Sequence, residues 1–150
     1  PYHLLREEMQ EFILDKLQLL IERKLIKGIG ENGTEYTVIA QILDLPKEIL
    51  RLIQKFDFTK KNPKLIYINT GETMISLQDS ILVTFLNLAG FDILFFVPTG
   101  YQSVENYFAE KLMEEHQIGE YKYDMQVPDL NNISTNSTRP SWRRKLFRRG

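Results

Sequence analysis

"LIYINTGE" at 65–72 and "LFFVPTGY" at 94–101 decide how this chain folds. Each is a short, nearly continuous apolar run that ends in Thr-Gly, and Thr70 and Thr99 stand 29 residues apart. Such a run, closed by a turn signal, reads as a strand covered on both faces, the kind found inside a parallel sheet. Between the two runs, "SLQDSILVTFLNLAG" places Leu77, Ile81, Leu82, Phe85, Leu88 and Ala89 at helical spacing. Ser76 is a suitable N-cap, Asp79 three residues later approximates a capping box, and Gly90 stands where a helix ends. A strand, a helix and a second strand joined by short turns form a unit with parallel strands and a right-handed connection. The fold class is therefore α/β. The expectation is a small, mainly parallel, Rossmann-like sheet with strands near 65–69 and 92–98, flanking helices and an N-terminal helical segment.

Working outward, "VENYFAEKLMEEH" reads as a third helix, capped by Ser103, with Tyr107, Phe108, Leu112 and Met113 on its apolar face and its end by Gly119. "EYKYDMQV" at 120–127 alternates apolar and polar residues and reads as an edge strand or as extended coil. Upstream, "LLREEMQEFILDKLQLLIERKLIKG" carries Leu5, Met9, Phe12, Ile13, Leu17, Leu20 and Ile21 at three- and four-residue spacing, with Gly28 as the expected stop. "GIGENGTE" is a turn, and a short helix follows over 36–43. Pro46 opens another helix, with Ile49, Leu50, Ile53 and Phe56 as its stripe. Three parts result: a helical segment over 1–58 that packs on the sheet, an α/β core over 64–128, and a linker with a basic amphipathic tail over 129–150. The linker is rich in Asn, Ser, Thr and Pro, with Asn132 and Asn136 in Asn-x-Ser/Thr sequons.

The 150 residues are 43% hydrophobic and 26% charged, and none is cysteine. That excludes a disulfide framework, a thiolate nucleophile and a cysteine metal site. No apolar stretch reaches the roughly 18 residues that a membrane span needs. The chain starts at Pro1 rather than Met, and is expected to be the C-terminal part of a longer protein. Net charge is −1, yet six of the 19 basic residues fall within 139–150, which leaves 13 basic against 20 acidic side chains and a net of −7 elsewhere. An acidic body argues against one that coats nucleic acid.

The Thr-Gly corners are the candidate site. In open α/β sheets ligands bind beyond the carboxyl ends of the strands. There Gly71 and Gly100 let the backbone turn or approach a ligand, and Thr70 and Thr99 add hydroxyls. Ser76 and Ser103 stand near helix N-termini, whose free N–H groups favour anions. Glu72 can accept hydrogen bonds from a sugar hydroxyl, and Tyr101 can stack on a ring. The expected ligand is a phosphate-bearing metabolite, a nucleotide or nucleotide sugar. Neither corner is a Walker loop or a G-x-G-x-x-G fingerprint, and strand-to-helix turns use the same residue types for geometry alone. No catalytic set emerges: His3 and His116 stand apart, Asp79 and Asp92 read as cap and strand entry, no metal site is expected, and no cofactor is assigned. In the tail, Trp142, Leu146 and Phe147 cluster on one side if helical, among Arg143, Arg144, Lys145, Arg148 and Arg149. That pattern suits a partner groove or an anionic membrane surface. Two further readings follow: a non-enzymatic adaptor acting through helices and tail, and a helix-turn-helix nucleic-acid binder over 36–56.

The run "LIYINTGETMISLQDSILVTFLNLAGFDILFFVPTGYQSVENYF", with "GEYKYDMQVPDL" after it, resembles the C-terminal part of a bacterial family called YceG-like. That family is described as a component of a "biosynthetic module" in tellurite-resistance and stress gene clusters. The resemblance covers about 65–130, with Thr99, Gly100 and Tyr101 matching its pattern best. It implies a cytoplasmic protein of a toxic-oxyanion resistance and stress system, peripheral to the inner face of the membrane if the tail binds there. Its partners would be proteins of the same gene cluster. The resemblance brings no catalytic residues with it.

Overall fold

The computed structural model describes residues 2–55, 60–101 and 104–128. A 3-10 turn (Tyr2–Leu4) precedes helix α1 (Glu7–Glu22), then α2 (Thr34–Leu43), α3 (Lys47–Lys55), strand β1 (Lys64–Ile68), α4 (Leu77–Leu88) and strand β2 (Asp92–Phe96). The two strands pair in parallel, with Ile66 beside Leu94 and Ile68 beside Phe96. A hydrogen bond from Asn69 N to Phe96 O continues the ladder past the strand ends. Among the described residues the chain is thus a mixed helix and strand protein with one small parallel sheet.

Helix α4 is the hub. Its Ile81, Phe85 and Leu86 are fully buried, and it touches α1, α2 and β2. The polar residues it buries are satisfied locally, because Ser80 Oγ donates to Ser76 O and Thr84 Oγ1 donates to Ser80 O, each at 2.8 Å. Ser76 caps the helix as the sequence indicates, accepting from Asp79 N at 3.0 Å. At the other end Gly90 has φ 105°, Gly90 N donates to Asn87 O and Phe91 N donates to Leu86 O. These two bonds close a Schellman motif, with Phe91 buried behind it.

Three expectations are corrected. Helix α1 stops at Glu22, six residues before Gly28. The same Schellman motif ends it, with Lys24 N donating to Ile21 O, Leu25 N donating to Leu20 O, and Lys24 itself left-handed at φ 50°. Burial of Leu25 and Ile26 holds this turn against the strain of a side chain there. Lys24→Gly removes that strain, and its denaturation midpoint should correspond to a gain of about 0.5–1 kcal/mol.

The third helix is absent. Residues 105–107 make one 3-10 turn (Glu105–Tyr107), and 108–118 are not helical. Phe108 is buried in an isolated antiparallel bridge with Ile26, and Ala109 N donates to Leu25 O. Pairing of this segment with the loop after α1 competes with, and replaces, helix formation. Residues 120–127 take the second of the two forms read from the sequence, coil, with Lys122 N bonded to Pro98 O at 2.8 Å.

The third correction concerns the strands. Among the described residues they are covered on one face only. Leu65, Tyr67, Ile93 and Phe95 face the core, while Ile66, Ile68, Leu94 and Phe96 stand 58%, 40%, 56% and 47% exposed. An apolar run carries the signature of two-sided burial, but the chain described here supplies a layer on one side. Phe56 and Ser103, to which a stripe position and a cap are assigned above, lie outside the described residues.

Candidate functional site

Because β1 and β2 are parallel neighbours, both Thr-Gly corners emerge at one rim, at the carboxyl ends of the strands. Thr99 is buried, and its Oγ1 donates to Gly71 O across the corners at 3.5 Å and accepts from Tyr101 N at 3.3 Å. The first corner is an Asx turn, with Gly71 N donating to Asn69 Oδ1 at 3.2 Å and Asn69 Nδ2 donating to Thr73 O at 2.8 Å. Among the described residues the side chains of Thr70 and Glu72 make no hydrogen bond or ion pair; Thr70 is half-buried and Glu72 exposed.

At the mouth of α4 three side chains converge. Tyr67 Oη and Ser76 Oγ both donate to Asp79 Oδ2, at 3.2 and 2.8 Å. Tyr67 reaches the rim from the core face of β1, where its ring lies 5.3 Å from that of Phe95. Burial pushes the Tyr67 phenol above its usual value, and the Asp79 carboxylate adds to the shift. A raised phenol stabilises the fold fully below pH 10, where both states are protonated, and that stability is lost as pH rises through the folded value. Tyr67→Phe should therefore lose less stability than wild type between neutral pH and the alkaline limb, read from urea midpoints across pH 8–11.

Asp79 changes what the rim can hold. Its carboxylate already meets the positive end of α4, so an anion arriving there finds the dipole opposed. At the second corner no α-helix N-terminus stands among the described residues, only the 3-10 turn from Glu105, and Ser103 lies outside them. Gly100 has φ 67° and sits against the Tyr121 ring, where an added Cβ would lie 2.1 Å from a ring carbon. Its close approach serves the chain's own segment. The backbone donors are also committed, Gly100 N to Val97 O and Tyr101 N to Thr99. What the rim offers is hydroxyls, two carboxylates and an aromatic ring, Tyr101, 42% exposed.

The remaining candidates separate from this rim. His116 is exposed, 3.6 Å from Glu114. Asp92 lies at the opposite end of the sheet, where its bond to Lys64 Nζ at 2.6 Å holds its carboxyl below the usual range. An apolar groove of about 170 Å³ is lined by Leu4, Leu5, Lys47, Leu50 and Arg51 and includes no rim residue. Among the described residues no group of three or more acidic or histidine side chains could hold a metal ion, and no helix is long and apolar enough to cross a membrane. The tail residues Trp142, Arg143, Arg144, Lys145, Leu146, Phe147, Arg148 and Arg149 lie outside the described residues. Sequence reasoning missed Tyr67 and Asn69. Asn two residues before Gly is a turn signal that could have found Asn69; Tyr67, inside a strand, carries no such mark.

No solved structure matches the chain significantly. The Bacillus subtilis (strain 168) protein described as uncharacterized protein YceG is 31% identical over 93 residues, which cover 60% of this chain and 17% of that protein. The chain thus spans a small part of the length of the curated relative it matches. The family model described as YceG domain matches residues 2–138, a stretch that takes in every element from the first 3-10 turn to the coil over the strand ends, and on that match the chain belongs to the YceG domain family.

Proposed function

We propose that this YceG domain binds the sugar portion of a phosphate-bearing metabolite, such as a nucleotide sugar, at the strand rim. The carrying observation is the pair of corners brought together by parallel strands, with Tyr67 and Ser76 bonded to Asp79 at the mouth of α4. Carboxylates and hydroxyls of this kind accept from and donate to sugar hydroxyls, and Tyr101 offers a face for a ring. The phosphate then points away from Asp79 into solvent. The wider role, in a bacterial system of toxic-oxyanion resistance and stress response, rests on the family resemblance of 65–130. The adaptor reading draws on a separate observation, the open sheet face, whose occupant is argued below.

Thermal shift tests the rim. A nucleotide sugar at 100 times its Kd should stabilise the chain by about 2.7 kcal/mol. At this size each kcal/mol is worth about 2–4 °C. The gain should vanish in Thr70→Val/Glu72→Gln, which breaks no side-chain hydrogen bond or ion pair among the described residues. Gly100→Val is unsuited to this purpose, because the Tyr121 ring fills the space its side chain needs. Inorganic phosphate alone should give no shift. An equal shift with phosphate alone would reject the sugar reading, and no shift with any nucleotide or nucleotide sugar would remove the site.

A further inference from the structure

Parallel sheets are normally covered on both faces. Here one face is bare among the described residues, and it is a two-by-two apolar block, with Ile66 beside Leu94 and Ile68 beside Phe96 in register. We infer that residues 140–149 of this same chain cover that block, with Trp142, Leu146 and Phe147 laid against the sheet and the arginines turned outward.

Three observations favour this occupant. The first is where the chain runs. Lys122 N is bonded to Pro98 O, two residues past β2, so the segment that leads to the tail passes the end of the block that holds Ile68 and Phe96. Twenty residues separate Lys122 from Trp142. A chain of that length reaches at most about 65–70 Å, well beyond the roughly 16 Å length of a five-residue strand.

The second is complementary chemistry. The block lacks an apolar layer, and Trp142, Leu146 and Phe147 fall within six positions, on one side of a helical turn pattern. The third is charge. The tail carries six basic residues and no acidic one, while the other 138 residues carry a net of −7. A short tether raises the effective concentration to about the millimolar range, so a contact of only about 100 μM intrinsic affinity keeps the tail docked about nine-tenths of the time.

The chain has no cysteine and one tryptophan, Trp142, which makes the test direct. Leu94→Cys/Phe147→Cys should close an intramolecular disulfide under mild oxidation at low micromolar protein. It should form at least tenfold faster than in Glu11→Cys/Phe147→Cys, whose first cysteine lies on an exposed position of α1. Trp142 emission should be blue-shifted from that of free N-acetyltryptophanamide, and Leu94→Glu should move it to the red. Equal crosslinking rates in the two pairs would overturn the inference, as would covalent dimers in place of the intramolecular product, which would assign the face to a second copy. A solvent-like Trp142 emission that shifts only on addition of phosphatidylserine vesicles would overturn it in favour of a membrane.

Discussion

Phe85→Ala should strip about 3–5 kcal/mol from the folded state, the range for truncating a fully buried aromatic. Phe85 is 0% exposed and sits one turn before the end of α4. It belongs to one continuous cluster with Ile13, Leu17 and Leu20 of α1, Ile42 of α2, and Phe91 ahead of β2. Removing its ring opens a cavity where three layers meet, and helices held on several sides relax little into such a space. A domain of this kind holds about 5–15 kcal/mol in total, so the loss is at least about a fifth of it. Urea unfolding should show a lowered midpoint with an unchanged slope. Leu14→Ala on α1 is the control, since Leu14 is 46% exposed and its truncation should cost less than about 1 kcal/mol. Equal midpoints for the two variants would mean that α4 is not the hub.

The same helix shows what the sequence could and could not reveal. Ser76, Asp79 and Gly90 mark both its ends, because the side chains and the glycine that close it are local. Helix α1 ends in the same hydrogen-bond motif, but with Lys24 where Gly90 stands in α4. Its stop was invisible, since Leu25 and Ile26 gain their burial from residues far along the chain. The lost helix after residue 104 fails for the same reason: its periodicity is real, and the bridge from Phe108 to Ile26, 82 residues back, outweighs it. The parallel pairing of the two apolar runs was legible because a short crossover helix admits little else. The bare face was not, because one strand's residues cannot say how many layers the rest of the chain supplies. At the rim, the corners themselves were legible, whereas the opposition of Asp79 to an anion emerged only with Tyr67 and Ser76 in place around it.

Gly100→Ala should destabilise the chain by about 2–3 kcal/mol, through two separable causes. Gly100 holds φ 67°, and a side chain in that left-handed region costs about 1–2 kcal/mol. The new Cβ would also lie 2.1 Å from the Tyr121 ring, so the ring must leave the corner. Lys122 is the next residue, and its bond to Pro98 O is strained as Tyr121 moves, for about another 1 kcal/mol. A double-mutant cycle divides the two. In a Tyr121→Ala background the collision is gone, and Gly100→Ala should cost only the backbone share, about 1–2 kcal/mol. The difference between backgrounds measures how firmly the coil over 120–128 is clamped to the strand ends. Identical costs in both backgrounds would show that Tyr121 does not rest on the corner, and the route by which this segment passes the rim would then be wrong. A clear difference would make Gly100 the fixed point where the sheet, the rim and the path toward the tail meet.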